Sequence, residues 1–167
     1  GQPASMMYMD VAALGKARGV VVLFHGKNFS SDYWAPTIAG LSKAGYRVIA
    51  PDQIGFGKSS KPDVEYHFDD LAANTQALLK SLNVQKVSVI ANSMGGMVGI
   101  RFARLYPQTV QKLVLENPLG LEDYSKDIPP QKNDDLLKLE MAQTEASYRR
   151  FLQTYFPNWQ PSYEKFV

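Results

Sequence analysis

The sequence predicts an α/β fold with a mostly parallel sheet and helices on both faces. Two continuous, β-branched apolar runs, Gly19-Val20-Val21-Val22-Leu23-Phe24 and Lys86-Val87-Ser88-Val89-Ile90, read as buried strands. Amphipathic segments of helical period alternate with strands, which implies parallel pairing through right-handed crossovers. A third observation is a serine, Ser93, placed where the second of these strands gives way to a helix.

Taken in order, Met6 to Val11 reads as a short strand and Gly15 to Gly19 as the turn to the next. Ser31 or Asp32 is placed to cap a helix through Trp34, Ile38 and Leu41 that ends near Gly45. Tyr46 to Ala50 is a strand stopped by Pro51. Asp69 or Asp70 begins a helix with Leu71, Thr75, Leu78, Leu79 and Leu82 on one stripe. After Ser93, Met97 to Tyr106 carries apolar residues at helical spacing and stops before Pro107. Lys112 to Leu115 is the last strand. Beyond Asn117-Pro118 the character changes: Leu121 to Asn133 is polar, contains Pro129-Pro130 and reads as a linker. Asp134 to Phe156 carries one helical pattern, from Leu136 and Leu137 to Leu152 and Tyr155. Trp159, Tyr163 and Phe166 then follow in a loop rich in aromatics.

Composition narrows the function classes. The 167 residues suffice for a sizeable core, and 45% hydrophobic with 20% charged residues is ordinary for a globular chain. A formal charge of +2 is too small to point to nucleic acid. With no cysteine, disulfides, thiolate catalysis and cysteine-ligated metal are excluded, and no metal or cofactor is expected. Absence of cysteine suits cytoplasm and periplasm alike, so the compartment stays open. No apolar stretch approaches the length of a membrane span, and no signal peptide is visible.

The chemistry centres on Ala91-Asn92-Ser93-Met94-Gly95-Gly96. A residue forced into so sharp a strand-to-helix turn needs small neighbours two positions away on each side, here Ala91 and Gly95. That is the geometry of the nucleophile elbow, usually written G-x-S-x-G. It thrusts the hydroxyl out above the sheet and points the N–H of Met94, at a helix N-terminus, to where an oxyanion would form. A chance Ser-x-Gly turn would read the same in isolation. Two further segments argue otherwise: the strand running into His25-Gly26-Lys27-Asn28, and Pro51-Asp52-Gln53-Ile54-Gly55-Phe56-Gly57-Lys58-Ser59. In this order and spacing the three motifs resemble the N-terminal half of the α/β-hydrolase fold family, over about Met6 to Asp123.

The resemblance implies a truncated α/β-hydrolase fold: a core over residues 1–120, then residues 121–167 as linker and beginning of a helical cap or lid. It implies Ser93 as nucleophile and the N–H groups of Lys27 and Met94 as oxyanion hole. His25, Gly26, Asn92 and Gly95 are then pocket or structural residues, and Asp52 stabilises its turn. The implied reaction is ester, thioester or related acyl hydrolysis of a small-molecule substrate. The alternatives are a non-catalytic ligand-binding protein of the same fold and a carbon–carbon bond hydrolase, which the Asn-Ser-Met-Gly-Gly string resembles. A serine at position 93 argues against the haloalkane dehalogenase and epoxide hydrolase branches, which use an aspartate there.

A serine hydroxyl needs an imidazole to take its proton and a carboxylate to orient that imidazole. The two histidines, His25 and His67, both precede Ser93, whereas the family's order is serine, acid, histidine. His25 reads as a packing and hydrogen-bonding residue and His67 as a helix-entry residue. Glu116 is the odd charge at the end of the last strand, while Glu122 and Asp123 read as solvated linker charges. The acid and histidine are therefore expected in a missing C-terminal half of the same protein, as a nicked chain or precursor, and this fragment alone is expected to be inactive. A further N-terminal strand, paired through the Gly1-Gln2 region, is expected before Met6.

Overall fold

A computed structural model describes residues 4–123, 126 and 132–166. The expected pairing through Gly1-Gln2 and the Pro129-Pro130 stretch of the linker lie outside the described residues. The chain divides into two units, residues 1–122 and 123–167.

The first unit is built on five strands: β1 (Tyr8–Val11), β2 (Gly19–Phe24), β3 (Tyr46–Pro51), β4 (Val87–Asn92) and β5 (Val110–Glu116). Their spatial order is β1-β3-β2-β4-β5. Only β1 is antiparallel, pairing with β3; the β2–β3, β2–β4 and β4–β5 pairs are parallel. Three helices connect them: α1 (Ala35–Lys43), α2 (Phe68–Ser81) and α3 (Met94–Leu105).

Alternation along the central strands explains why both faces are covered. Val22, Phe24, Ile49, Val87, Val89 and Ala91 point to one side, where they pack with Leu71, Leu79, Val98 and Phe102 of α2 and α3. Val21, Leu23, Val48 and Ala50 point to the other, against Trp34 and Ile38. Phe24 and Phe102 meet edge to face at 5.8 Å, tying the middle of the sheet to α3. The bidentate pair between Arg101 and Asp69 joins α3 to the first turn of α2. At its β5 end the sheet is open among the described residues, and Val114 there is half exposed.

Several boundaries differ from those the sequence suggests. Ser31 and Asp32 do not cap α1; Ser31–Trp34 is a 3-10 turn entered from Ser30, and α1 starts at Ala35 with Pro36 in its first turn. Pro51 is the last residue of β3 rather than following it: it pairs opposite Tyr8 of β1, beyond the end of the β2 pairing at Ile49. Phe68 opens α2 one residue before Asp69, with His67 at the N-cap. Parallel pairing with β4 extends the last strand to Val110–Glu116.

In the second unit, the single helical pattern over 134–156 is two helices, α4 (Asn133–Met141) and α5 (Glu145–Tyr155). The break comes from Thr144, whose Oγ1 accepts the N–H of Ser147 at 3.2 Å while Ser147 Oγ accepts the N–H of Thr144 at 2.8 Å. The aromatic loop contains a 3-10 turn, Pro161–Phe166. Arg149 reaches Glu164 and Glu145, and Trp159 donates to Glu164 at 2.8 Å. Among the described residues, no helix is long and apolar enough to cross a membrane.

Gly95 decides how closely α3 can approach the sheet. A Cβ there would sit 2.4 Å from the Phe24 carbonyl oxygen and 2.6 Å from that of His25. Gly95→Ala is expected to lower stability by about 3 kcal/mol. Gly40→Ala, in α1 where a Cβ meets nothing within 4 Å, is expected to raise it by roughly 0.5–1 kcal/mol. Urea unfolding of both variants checks this; a Gly95→Ala midpoint equal to wild type would contradict the close approach.

Candidate active site

Ser93 lies between the last residue of β4 and the first of α3, with φ 52° and ψ −121°. Backbone of this kind costs an L-residue about 1–3 kcal/mol unless its surroundings hold it. Here they do. The Ser93 N–H donates to the Glu116 carbonyl at 3.1 Å, and the Ser93 carbonyl accepts from Gly96 at 2.8 Å and Leu119 at 3.1 Å. Ala91 is fully buried, and its methyl group faces Gly99, where a Cβ would come within 2.9 Å. Among the described residues nothing hydrogen-bonds to the Ser93 hydroxyl or to the N–H of Met94.

The loop after β2 lies directly against this turn. A Cβ on Gly26 would meet Ser93 Cβ at 3.2 Å and Asn92 Oδ1 at 3.0 Å, so the Gly26 backbone is in contact with the elbow. Lys27 follows with its side chain exposed, and Asn28 turns the chain at φ 68°. The Gly26–Lys27 peptide and the first turn of α3 therefore flank Ser93. Such a pair of N–H groups, one of them at a helix N-terminus, suits a developing negative charge.

His25 is wholly buried and is bonded at both ring nitrogens. Its Nε2 accepts the Gln53 N–H at 3.0 Å, so the ring proton is on Nδ1, which donates to the Gly26 carbonyl at 2.9 Å. Burial pushes its pKa below 6.5, against the opposing effects of the Gly26 carbonyl and the Asp52 carboxylate. Asp52 accepts from the N–H of Ser31 at 2.7 Å and of Lys58 at 2.8 Å. Burial raises its pKa, but those donors and nearby His25 outweigh burial and hold it below 3.8. Gly57 makes this possible: at φ +52° the loop wraps the carboxylate so tightly that a Cβ would come within 2.2 Å of Asp52 Oδ2.

The other residues singled out by sequence are placed as follows. Asn92 donates through Nδ2 to Glu116 Oε2 at 3.3 Å, so Glu116 stands beside the elbow but faces an amide rather than an imidazole. His67 is exposed at the head of α2, with Nε2 3.7 Å from Glu65. Glu122 and Asp123 are exposed. Among the described residues, no three His, Cys, Asp or Glu side chains are grouped to hold a metal ion.

Sequence reasoning missed the walls beside the elbow. Gly55, Phe56, Tyr66, Phe68, Leu71 and Met94 enclose a largely apolar recess of about 250 Å³. Leu71 reads from sequence only as part of a core stripe, and Tyr66 and Phe68 only as entry to α2. A wider cleft of about 410 Å³ shares Phe68 and continues past His67, Met97, Arg101, Arg104 and Gly120.

A sequence profile of the alpha/beta hydrolase fold matches residues 19–166. This chain belongs to the α/β-hydrolase fold family. It is 37% identical over 123 residues to a 2-hydroxy-6-oxo-6-(2'-aminophenyl)hexa-2,4-dienoic acid hydrolase of Metapseudomonas resinovorans, covering 71% of this chain and 42% of that relative. It is 35% identical over 107 residues to a haloalkane dehalogenase of Mesorhizobium japonicum, covering 64% and 33%. A solved structure from Pseudomonas aeruginosa, described as a probable hydrolytic enzyme, superposes with a TM-score of 0.92 at 46% identity, covering 99% of this chain and 55% of that one. The chain thus spans about half or less of the length of such curated relatives.

The depressed His25 pKa sets a pH dependence. A folded-state value below the unfolded 6.5 means the unfolded chain takes up a proton first as pH falls. The His25 contribution is therefore fully present above 6.5 and declines as pH drops towards the folded-state value. Urea midpoints are expected to fall between pH 7.5 and 5, and the fall is expected to flatten in His25→Gln. A wild-type midpoint independent of pH across that range would contradict it.

Proposed function

We propose that this chain carries the nucleophile and oxyanion hole of a serine hydrolase acting on an ester, thioester or related acyl substrate. The observation that carries the reading is Ser93, held at φ 52° between β4 and α3, with no described residue bonded to its hydroxyl or to the Met94 N–H beside it. Attack of Ser93 Oγ on an acyl carbon puts negative charge on the carbonyl oxygen, which the N–H groups of Met94 and Lys27 receive. One such donor contributes about 3 kcal/mol to the transition state. The leaving group departs with the proton that Ser93 lost, and water then releases the acyl group from the serine.

In this reading the general base comes from outside these residues. His25 cannot take the serine proton without giving up the Gln53 N–H, and His67 stands exposed at the head of α2 with its Nε2 turned to Glu65. Coverage of about half of the relatives leaves room for the acid and histidine elsewhere in the full protein, and the fragment alone is then inactive. The recess bounded by Phe56, Tyr66, Phe68 and Met94 suits an apolar group of the substrate. Residues 121–167 begin the helical cap, a role supported by the apolar and aromatic side chains of α5, Tyr148, Phe151, Leu152 and Tyr155.

Carbon–carbon bond hydrolysis is the second reading. It is favoured by the 37% identity to the dienoic acid hydrolase and by the Asn92-Ser93-Met94-Gly95-Gly96 string. The same nucleophile would then face a vinylogous diketone instead of an ester.

A fluorophosphonate is expected to label the full-length protein once, at Ser93, and Ser93→Ala is expected to abolish the label. Turnover of p-nitrophenyl esters against a vinylogous 1,5-diketone separates the two readings. A full-length protein that stays unlabelled would instead mark a ligand-binding protein with an idle serine.

A further inference from the structure

Beyond the recess at the elbow, the cleft of about 410 Å³ is built on one face of α3 and the head of α2. Met97, Ile100, Arg101 and Arg104 follow one another at helical spacing along that face, and Phe68 and Asp69 come from α2. Recess and cleft share Phe68, and the recess is walled by Met94, the residue after Ser93. The order along the surface is therefore elbow, apolar recess, Phe68, cleft.

Charge in the cleft is uneven. Arg101 is engaged by Asp69 through two hydrogen bonds, and His67 stands 3.7 Å from Glu65. Arg104 is exposed and forms no ion pair among the described residues. Its charge still reaches the cleft. The Asp69 carboxyl is lowered first by its hydrogen bond with Arg101, against burial, and then by the charges of Arg101, His67 and Arg104. Arg104 is thus a cation without a carboxylate of its own, at the end of a lining whose apolar part is Phe68, Met97 and Ile100. The helix sets its distance. Arg104 lies ten residues beyond Met94, about 15 Å along α3, and helical side chains lean back towards the N-terminus, which leaves its guanidinium about 10 Å from the elbow.

We propose that the acyl chain of the substrate runs from the elbow through the recess, past Phe68 into the cleft, and ends in a carboxylate bound by Arg104. The inference rests on the serine-hydrolase reading above and narrows its substrate class to monoesters or thioesters of dicarboxylic acids. A single unpaired guanidinium matches a singly charged carboxylate, which it grips with two parallel N–H bonds. Asp69, also in the cleft, disfavours a second negative charge such as a phosphate dianion carries. Water adds across the acyl bond, and the products are an alcohol or thiol and a dicarboxylic acid.

The test uses the full-length protein and two esters of equal length that differ only at the far end, mono-p-nitrophenyl sebacate and p-nitrophenyl decanoate. Wild type is expected to favour the sebacate ester about tenfold in kcat/KM, mainly through KM, because the contact is remote from the reacting bond. In Arg104→Gln that ratio is expected to fall to about one. The shorter pair, mono-p-nitrophenyl adipate and p-nitrophenyl hexanoate, is expected to show no preference, because the adipate carboxylate stops short of Arg104. Added salt is expected to shrink the sebacate advantage of wild type, a readout that needs no variant. Absence of a sebacate preference, an equal preference for adipate, indifference to salt, or a preference that survives Arg104→Gln overturns the inference while the nucleophile assignment stands. A full-length protein that turns over neither ester and takes no fluorophosphonate at Ser93 overturns both.

Discussion

The backbone at Ser93 is the constraint on which the site depends. A residue with φ 52° and ψ −121° stays there only if its neighbours cost more to move than the strain relieves. The parallel β4–β5 pair supplies one anchor, since the Ser93 N–H ends on the Glu116 carbonyl. The first turn of α3 supplies another. It can lie on the last carbonyls of β2 only because position 95 has no side chain. The same approach brings Gly26 against Ser93, so strain, hydroxyl exposure and proximity of the oxyanion loop share one packing arrangement.

The opposite wall is held by buried polar groups. Asp52 gathers the N–H groups of Ser31 and Lys58, and His25 bridges Gln53 to Gly26. These bonds join the loops after β2 and β3 at the carboxyl ends of neighbouring strands, the usual place for function in an open α/β sheet. A neutral, doubly bonded imidazole is a strut here rather than a base. That assignment follows from which atoms donate and which accept, since a backbone N–H can only donate.

Much of this was legible in the sequence because the central strands are buried on both sides. Gly19–Phe24 is a continuous apolar run, Val87–Asn92 is β-branched and mostly apolar, and the junction residues Ser93 and Gly95 declare a sharp turn. What sequence concealed was set by contacts between distant segments. The recess joins Phe56, Tyr66 and Leu71 to Met94, residues whose proximity no local pattern encodes. The break between α4 and α5 was hidden by an apolar stripe that runs through it, although Thr144 and Ser147 at capping-box spacing carried the signal. The 3-10 turn at Ser31–Trp34 was likewise marked only by Pro36, which prefers the first turn of the helix that follows.

If Ser93 is held in strain for the sake of its hydroxyl, relieving the strain must stabilise the fold. The direct measurement compares the urea unfolding free energies of Ser93→Gly and Ser93→Ala. Both remove the hydroxyl, but only glycine accepts this backbone freely, so Ser93→Gly is expected to be more stable by about 1 kcal/mol or more. An alanine variant as stable as the glycine variant, or more so, would show that position 93 is not strained and would remove the basis for reading it as a nucleophile elbow.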